Sequence, residues 1–317
     1  MATHLLNENA KGVYIISATP FAEDGSIDTA SADRLVEFYI ERGVTGMTIL
    51  GMMGEAHKLA PDESTMFLQH VLKRVADRIP VVVGVSSAGL DNLMRLAETA
   101  MQAGAAGVMV APPGGLTTDD RLHAYYGAVC DGLGPDIPLV YQDFPLSTQV
   151  ALSASVFARM VADFPQLVML KHEDWPGLAK LTAIRQAESR DGARRVSILV
   201  GNGGLYLPQE LARGADGAMT GFAYPEMLVD VVSLFQAGSE DEAETLFDAY
   251  LPLVRHEQQP GFGLAVRKEI LRRRGVIASA KTRAPGPKLS ETDRTELTGL
   301  MTRLKRRLGE LGRDVSD

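Results

Sequence analysis

Eight short apolar runs punctuate the first two thirds of the chain, at 13–21, 46–50, 80–85, 106–111, 137–144, 167–171, 196–200 and 217–220. None alternates regularly with polar residues, the pattern of strands buried on both faces. Between them the spacing is helical, as in Ala32, Leu35, Val36, Tyr39 and Ile40 behind the capping candidate Ser31. Eight strands alternating with helices predict an α/β fold, a parallel (β/α)8 TIM barrel. A doubly wound open sheet would instead carry a glycine-rich phosphate loop after its first strand, where this chain has Thr19-Pro20-Phe21.

After the eighth run only helical patterns remain. An amphipathic stretch covers 241–254, another follows over 260–274, and Ser290 with Asp293 forms a capping-box start ahead of Leu297, Leu300, Met301, Leu304 and Leu308. The segment 280–287 has loop composition. The chain is therefore expected to divide into a barrel over 11–225 and a C-terminal helical extension over 226–317, packed on the barrel or at a subunit interface. The arginines at 272–274 and the basic cluster at 303–307 are expected on solvated helix faces.

Composition narrows the function classes. The chain is 45% hydrophobic and 23% charged, enough for a large core. A net charge of −8 without a long basic run argues against a nucleic-acid partner or an anionic membrane surface. The single cysteine, Cys130, excludes an internal disulfide and a cysteine-built metal site, and is expected as a small buried hydrophobe. His4, His57, His70, His123, His172 and His256 have no metal-ligand spacing, so neither metal nor cofactor is expected. There is no leader-like start and no apolar stretch of about 18 residues, which points to a cytoplasmic protein without membrane contact.

In a barrel of this kind chemistry lies where strands end and loops begin. The first strand ends at Thr19, the second at Gly51-Met52-Met53-Gly54-Glu55, the fourth at Gly114-Gly115, the fifth at Tyr141-Gln142-Asp143, the sixth at Lys171-His172-Glu173, the seventh at Gly201-Asn202-Gly203-Gly204 and the eighth at Thr220. A lysine closing an apolar run must pair or lose its proton, and a neutral lysine can attack a carbonyl to form a Schiff base. The alternative is a lysine that snorkels outward or pairs with Glu173. Tyr141 is either a proton shuttle or a core aromatic. The glycines either expose backbone donors or serve close packing.

In this order the residues resemble the Schiff-base lyases that include dihydrodipicolinate synthase and N-acetylneuraminate lyase, over roughly 11–310. The pieces that carry the resemblance are Thr19-Pro20-Phe21, the Gly51-x-x-Gly54-Glu55 turn, Tyr141, Lys171 with Glu173, Gly201 and the helical tail. The resemblance implies that Lys171 is the Schiff-base lysine, Tyr141 the proton shuttle, and the 51–55 turn the seat of a keto-acid carboxylate. Thr19, Gly51, Met52, Met53, Glu55, Asp143, Glu173, Gly201, Asn202 and Thr220 are then the expected substrate-binding positions. It also implies a small-molecule 2-keto acid as partner and a homotetramer or homodimer.

The departures narrow the substrate. Met52-Met53 stand where the family carries two hydroxyl residues, leaving backbone N–H groups for the carboxylate. Gly114-Gly115 replace an aromatic pair, and Pro145-Leu146-Ser147-Thr148 lack the arginine that synthases of dihydrodipicolinate carry. The segments 142–145, 217–221 and 223–225 resemble the sugar-acid branch, whose members dehydrate or cleave 2-keto-3-deoxy sugar acids. The expected activity is therefore a lyase of that kind, with dihydrodipicolinate synthase, or a non-catalytic keto-acid-binding module, as the alternatives.

Overall fold

The computed structural model describes residues 5–313, so His4 and the last four residues of the expected extension lie outside the described residues. Eight parallel strands close into one barrel in sequence order: β1 (Gly12–Ile16), β2 (Gly46–Ile49), β3 (Val81–Gly84), β4 (Gly107–Val110), β5 (Leu139–Asp143), β6 (Leu167–His172), β7 (Ser197–Val200) and β8 (Gly217–Ala218). The expected TIM barrel is present. Its strands are shorter than the apolar runs because hydrophobicity marks burial, not extension: Phe21, five residues past the end of β1, is fully buried in a loop.

Helices α1 (Thr29–Glu41), α2 (Pro61–Val75), α3 (Leu90–Gln102), α4 (Asp119–Leu133), α5 (Pro145–Thr148), α6 (Ala154–Asp163), α7 (Leu178–Asp191), α8 (Leu207–Ala212) and α9 (Pro225–Gln236) follow the strands. The N-cap of α1 is Asp28, whose carboxylate accepts from Ser31 N–H, so Ser31 lies one turn inside the helix it was expected to cap. Helix α9 packs on β8 and β1 as the last helix of the ring, which moves the barrel past the boundary expected at residue 225. The extension proper comprises α10 (Glu240–Glu257), α11 (Gly263–Arg273) and α12 (Glu291–Glu310), the last starting on the Ser290/Asp293 capping box. No helix among the described residues is long and apolar enough to cross a membrane.

Inside the barrel the strand registers stack inward positions in layers of four from alternate strands. Tyr14, Val82, Val140 and Leu199 form one layer. Thr48, Met109, Lys171 and Met219 form the next toward the C-terminal mouth, and Ile16, Gly84, Gln142 and Gly201 the one above. The apolar members pack as a cluster of their own, separate from the larger core between strands and helices.

Helix α11 joins this mouth through two consecutive buried cations. Arg267 bonds the Glu257 carboxylate and the Gly221 carbonyl, both at 2.5 Å. Lys268, with no exposed side-chain surface, bonds the Glu55 carboxylate at 2.7 Å. Burial pulls the Lys268 ammonium down to about 8 against the opposing pull of Glu55. The arginines at 272–274 are not all solvated as expected: Arg274 is 4% exposed and pairs with Glu226. Breaking a buried pair on one side strands a charge, at a cost of roughly 3–5 kcal/mol. Lys268→Met is expected to lose about that much in denaturant unfolding, and a loss below about 1 kcal/mol would contradict the buried pair.

Candidate active site

Lys171 faces the barrel interior because β6 carries an extra residue. Leu139 pairs with Leu167, but the next residue of β5, Val140, pairs with Met169, so Val168 is a bulge. Leu167 packs toward the helices, Val168 and Met169 both pack inward, and Leu170 packs outward again. Without the extra residue the alternation from Leu167 would turn Lys171 to the helices. As built, Lys171 is 4% exposed and its Nζ lies 2.9 Å from Glu173 Oε2. The same oxygen accepts from Gln142 Nε2 at 2.7 Å. Gln142 is the β5 residue in register with Lys171.

Glu173 fits here because residue 201 is glycine: a Cβ there would stand 2.1 Å from Glu173 Cγ. Asn202, at φ 49°, donates its side-chain N–H to the Glu173 carbonyl at 3.2 Å, and Thr220 Oγ1 accepts from Gly203 N–H at 2.7 Å. Asn202 thus braces the segment that carries the carboxylate, and Thr220 braces the loop after β7 from which Asn202 reaches it. Thr19 does similar work opposite, donating to Gly54 O at 2.6 Å.

The turn after β2 begins with Leu50 at φ 54°, a strained value for a branched side chain. Within it Gly54 N–H bonds Gly51 O and Glu55 N–H bonds Met52 O, leaving the Met52 and Met53 N–H groups without an acceptor inside the turn. Met53 packs against the barrel-interior cluster and Met52 is half-buried.

Three expected site residues are elsewhere. Tyr141 is fully buried behind β5, its ring stacked on Tyr126 of α4 at 4.5 Å and edge-on to Phe157 of α6 at 6.4 Å. Its hydroxyl has no hydrogen-bond partner among the described residues, and burial, then the nearby Asp143 carboxylate, raise it well above the usual tyrosine range. Tyr141 pairs with Leu170, and strand alternation puts both on the helix side. Asp143 lies on that side too, bonded to Lys180 Nζ at 2.8 Å and 3.6 Å from His172 Nδ1. Glu55 turns away from the mouth: beside Lys268 it takes Lys58 Nζ at 3.0 Å and Arg283 N–H at 2.9 Å. Gln142 was missed as an inward group, whereas Thr48, inward as well, is a group to which the proton transfer could pass if Tyr141 does not carry it. Thr48 Oγ1 is buried without a hydrogen-bond partner among the described residues.

Behind β6, Glu210 of α8 is pushed up to about 7 by burial, partly offset by His172. No cluster of three or more histidine, cysteine, aspartate or glutamate residues that could hold a metal ion occurs among the described residues.

The dihydrodipicolinate synthetase family model matches residues 9–304. The chain belongs to that family. It is 33% identical over 298 residues to L-2-keto-3-deoxyarabonate dehydratase of Azospirillum brasilense, covering 93% of this chain and 94% of that one. It is 29% identical over 248 residues to 4-hydroxy-tetrahydrodipicolinate synthase of Persephonella marina, covering 77% and 82%. Among solved structures it is similar to dihydrodipicolinate synthase from Rhodopseudomonas palustris, with a TM-score of 0.93 and 47% identity over 95% of this chain and 100% of that one.

Two outcomes follow from the buried groups behind the strands. Tyr141→Phe removes a hydroxyl that has no partner, so turnover is expected within about threefold of the parent and melting unchanged or higher. A loss of 10²-fold or more, the scale of general acid–base catalysis, would return Tyr141 to the chemistry. Glu210 retains its proton in the folded state between its ordinary 4.5 and about 7, where the unfolded chain has lost it. Folding stability therefore falls as pH rises through that window. Glu210→Gln, which cannot ionise, is expected to gain on the order of 2 kcal/mol over the parent on going from pH 5 to pH 8. Parallel pH profiles would contradict it.

Proposed function

We propose that the protein is a Schiff-base lyase acting on a 2-keto-3-deoxy sugar acid, with Lys171 as nucleophile and Glu173 as acid and base. The observation that carries the reading is the carboxylate held 2.9 Å from a lysine amine inside the barrel. Glu173 takes a proton from the ammonium, the neutral amine attacks the C2 carbonyl, and the carbinolamine hydroxyl leaves as water with that proton returned by Glu173, giving an iminium and an ionised carboxylate. The iminium draws the C3–H bonding pair toward nitrogen as Glu173 removes the C3 proton, giving an enamine. The enamine expels the C4 hydroxyl, which leaves as water with the proton returned by Glu173. Hydrolysis of the resulting imine frees the product and Lys171.

Gln142 orients the carboxylate through its bond to Oε2. Glu173 therefore does the work expected of Tyr141. The similarity to L-2-keto-3-deoxyarabonate dehydratase supports dehydration. The 47% identity to a structure described as dihydrodipicolinate synthase favours a second reading, condensation of pyruvate with aspartate semialdehyde. Against it stands the segment after β5, where Pro145–Thr148 offers no cation for a second carboxylate.

Borohydride with pyruvate is expected to label Lys171. Glu173→Gln should slow turnover of a 2-keto-3-deoxy sugar acid about 10²- to 10⁴-fold while Lys171 still becomes labelled, more slowly. Label elsewhere, or full turnover by Glu173→Gln, would overturn the mechanism. Parallel assays with sugar acids and with pyruvate plus aspartate semialdehyde separate the two substrates.

A further inference from the structure

Thr48 lies in the same inward layer as Lys171, on the opposite strand of the barrel. Register places it level with Lys171, Met109 and Met219, and its hydroxyl is fully buried with no hydrogen-bond partner among the described residues. A buried hydroxyl without a partner costs roughly 1–3 kcal/mol, so its position calls for a group that is present in the working site. The layer's other two members are methionines. In the layer above, Ile16, Gly84 and Gly201 bring no polar side chain, and Gln142 is already bonded to Glu173.

We propose that the Thr48 hydroxyl donates a hydrogen bond to the carboxylate of the bound 2-keto acid. The inference rests on the reading of Lys171 as the Schiff-base lysine. A keto acid joined to Nζ through C2 carries its carboxylate one bond away. Glu173, 2.9 Å from Nζ, repels that carboxylate from its own side and directs it across the barrel toward β2. Thr48 lies on β2 three residues before Gly51, beneath the turn whose Met52 and Met53 N–H groups lack an acceptor within it. It thus supplies from the strand the hydroxyl that the methionine turn does not carry.

The experiment compares the parent, Thr48→Val and Thr48→Ser by borohydride trapping with pyruvate, reading the half-saturating pyruvate concentration alongside melting temperature. Valine keeps the shape and removes the hydroxyl. Losing a hydrogen bond to a charged group should raise half-saturation about 10- to 100-fold. Melting should hold or rise, because a partnerless hydroxyl is removed. Thr48→Ser should stay within about threefold of the parent. Half-saturation within twofold of the parent in Thr48→Val overturns the proposal while leaving Lys171 in its role. So does a slower maximal rate at unchanged half-saturation, or equal loss of labelling and melting temperature. If the parent itself takes up no label, the Schiff-base reading fails and this proposal fails with it.

Discussion

The site depends on which face of a strand each side chain occupies. In β6 that choice is made by one inserted residue. A strand alternates strictly, so moving register by one carries every later side chain to the other face. The bulge at Val168 turns Lys171 into the barrel and sends His172 to the helix side. Gln142 and Glu173 then meet the amine inside, while Tyr141, Asp143 and Glu210 gather behind the same strands. One barrel wall thus carries two separate polar groups, one facing the mouth and the other sealed under the helices.

The barrel was legible because its signal repeats. Eight apolar runs with helical spacing between them leave little freedom of topology, and the lysine at the end of the sixth run stood out because an ammonium is costly in that setting. Facing was not legible. In the run at 137–144 every residue but Asp143 and Gln142 is apolar or aromatic, so no alternation tells Tyr141 from Gln142. Tyr141 was favoured because the family resemblance implies a proton-shuttling tyrosine at the end of the fifth strand. Only the pairing with β6 shows that Gln142 is level with the amine.

Glu55 was expected at the substrate, and its actual pairing was hidden for a different reason. Beside the local Lys58, two of its partners lie more than two hundred residues away, on α11 and the loop after it, and no local pattern announces them. The run Arg267-Lys268-Glu269 resembles an ordinary solvated helix face, yet all three side chains are buried. Helix α11 lays Arg267 against the loop after β8 and Lys268 against the turn after β2, so two neighbouring residues span both sides of the β1 loop.

That arrangement explains why the extension carries charge where apolar residues would pack. A buried ion pair adds little net stability over a hydrophobic pair of equal volume, since desolvation offsets most of the attraction. Its value lies in geometry. Glu55 is satisfied only when Lys268 Nζ, Lys58 Nζ and Arg283 N–H all reach it, and a slip of α11 takes Lys268 away and leaves the buried carboxylate one donor short. A greasy contact would tolerate such a slip at small cost, whereas a three-donor carboxylate does not. The turn that carries the Met52 and Met53 N–H groups is therefore fixed from its far end, by a helix that the barrel itself does not need for closure.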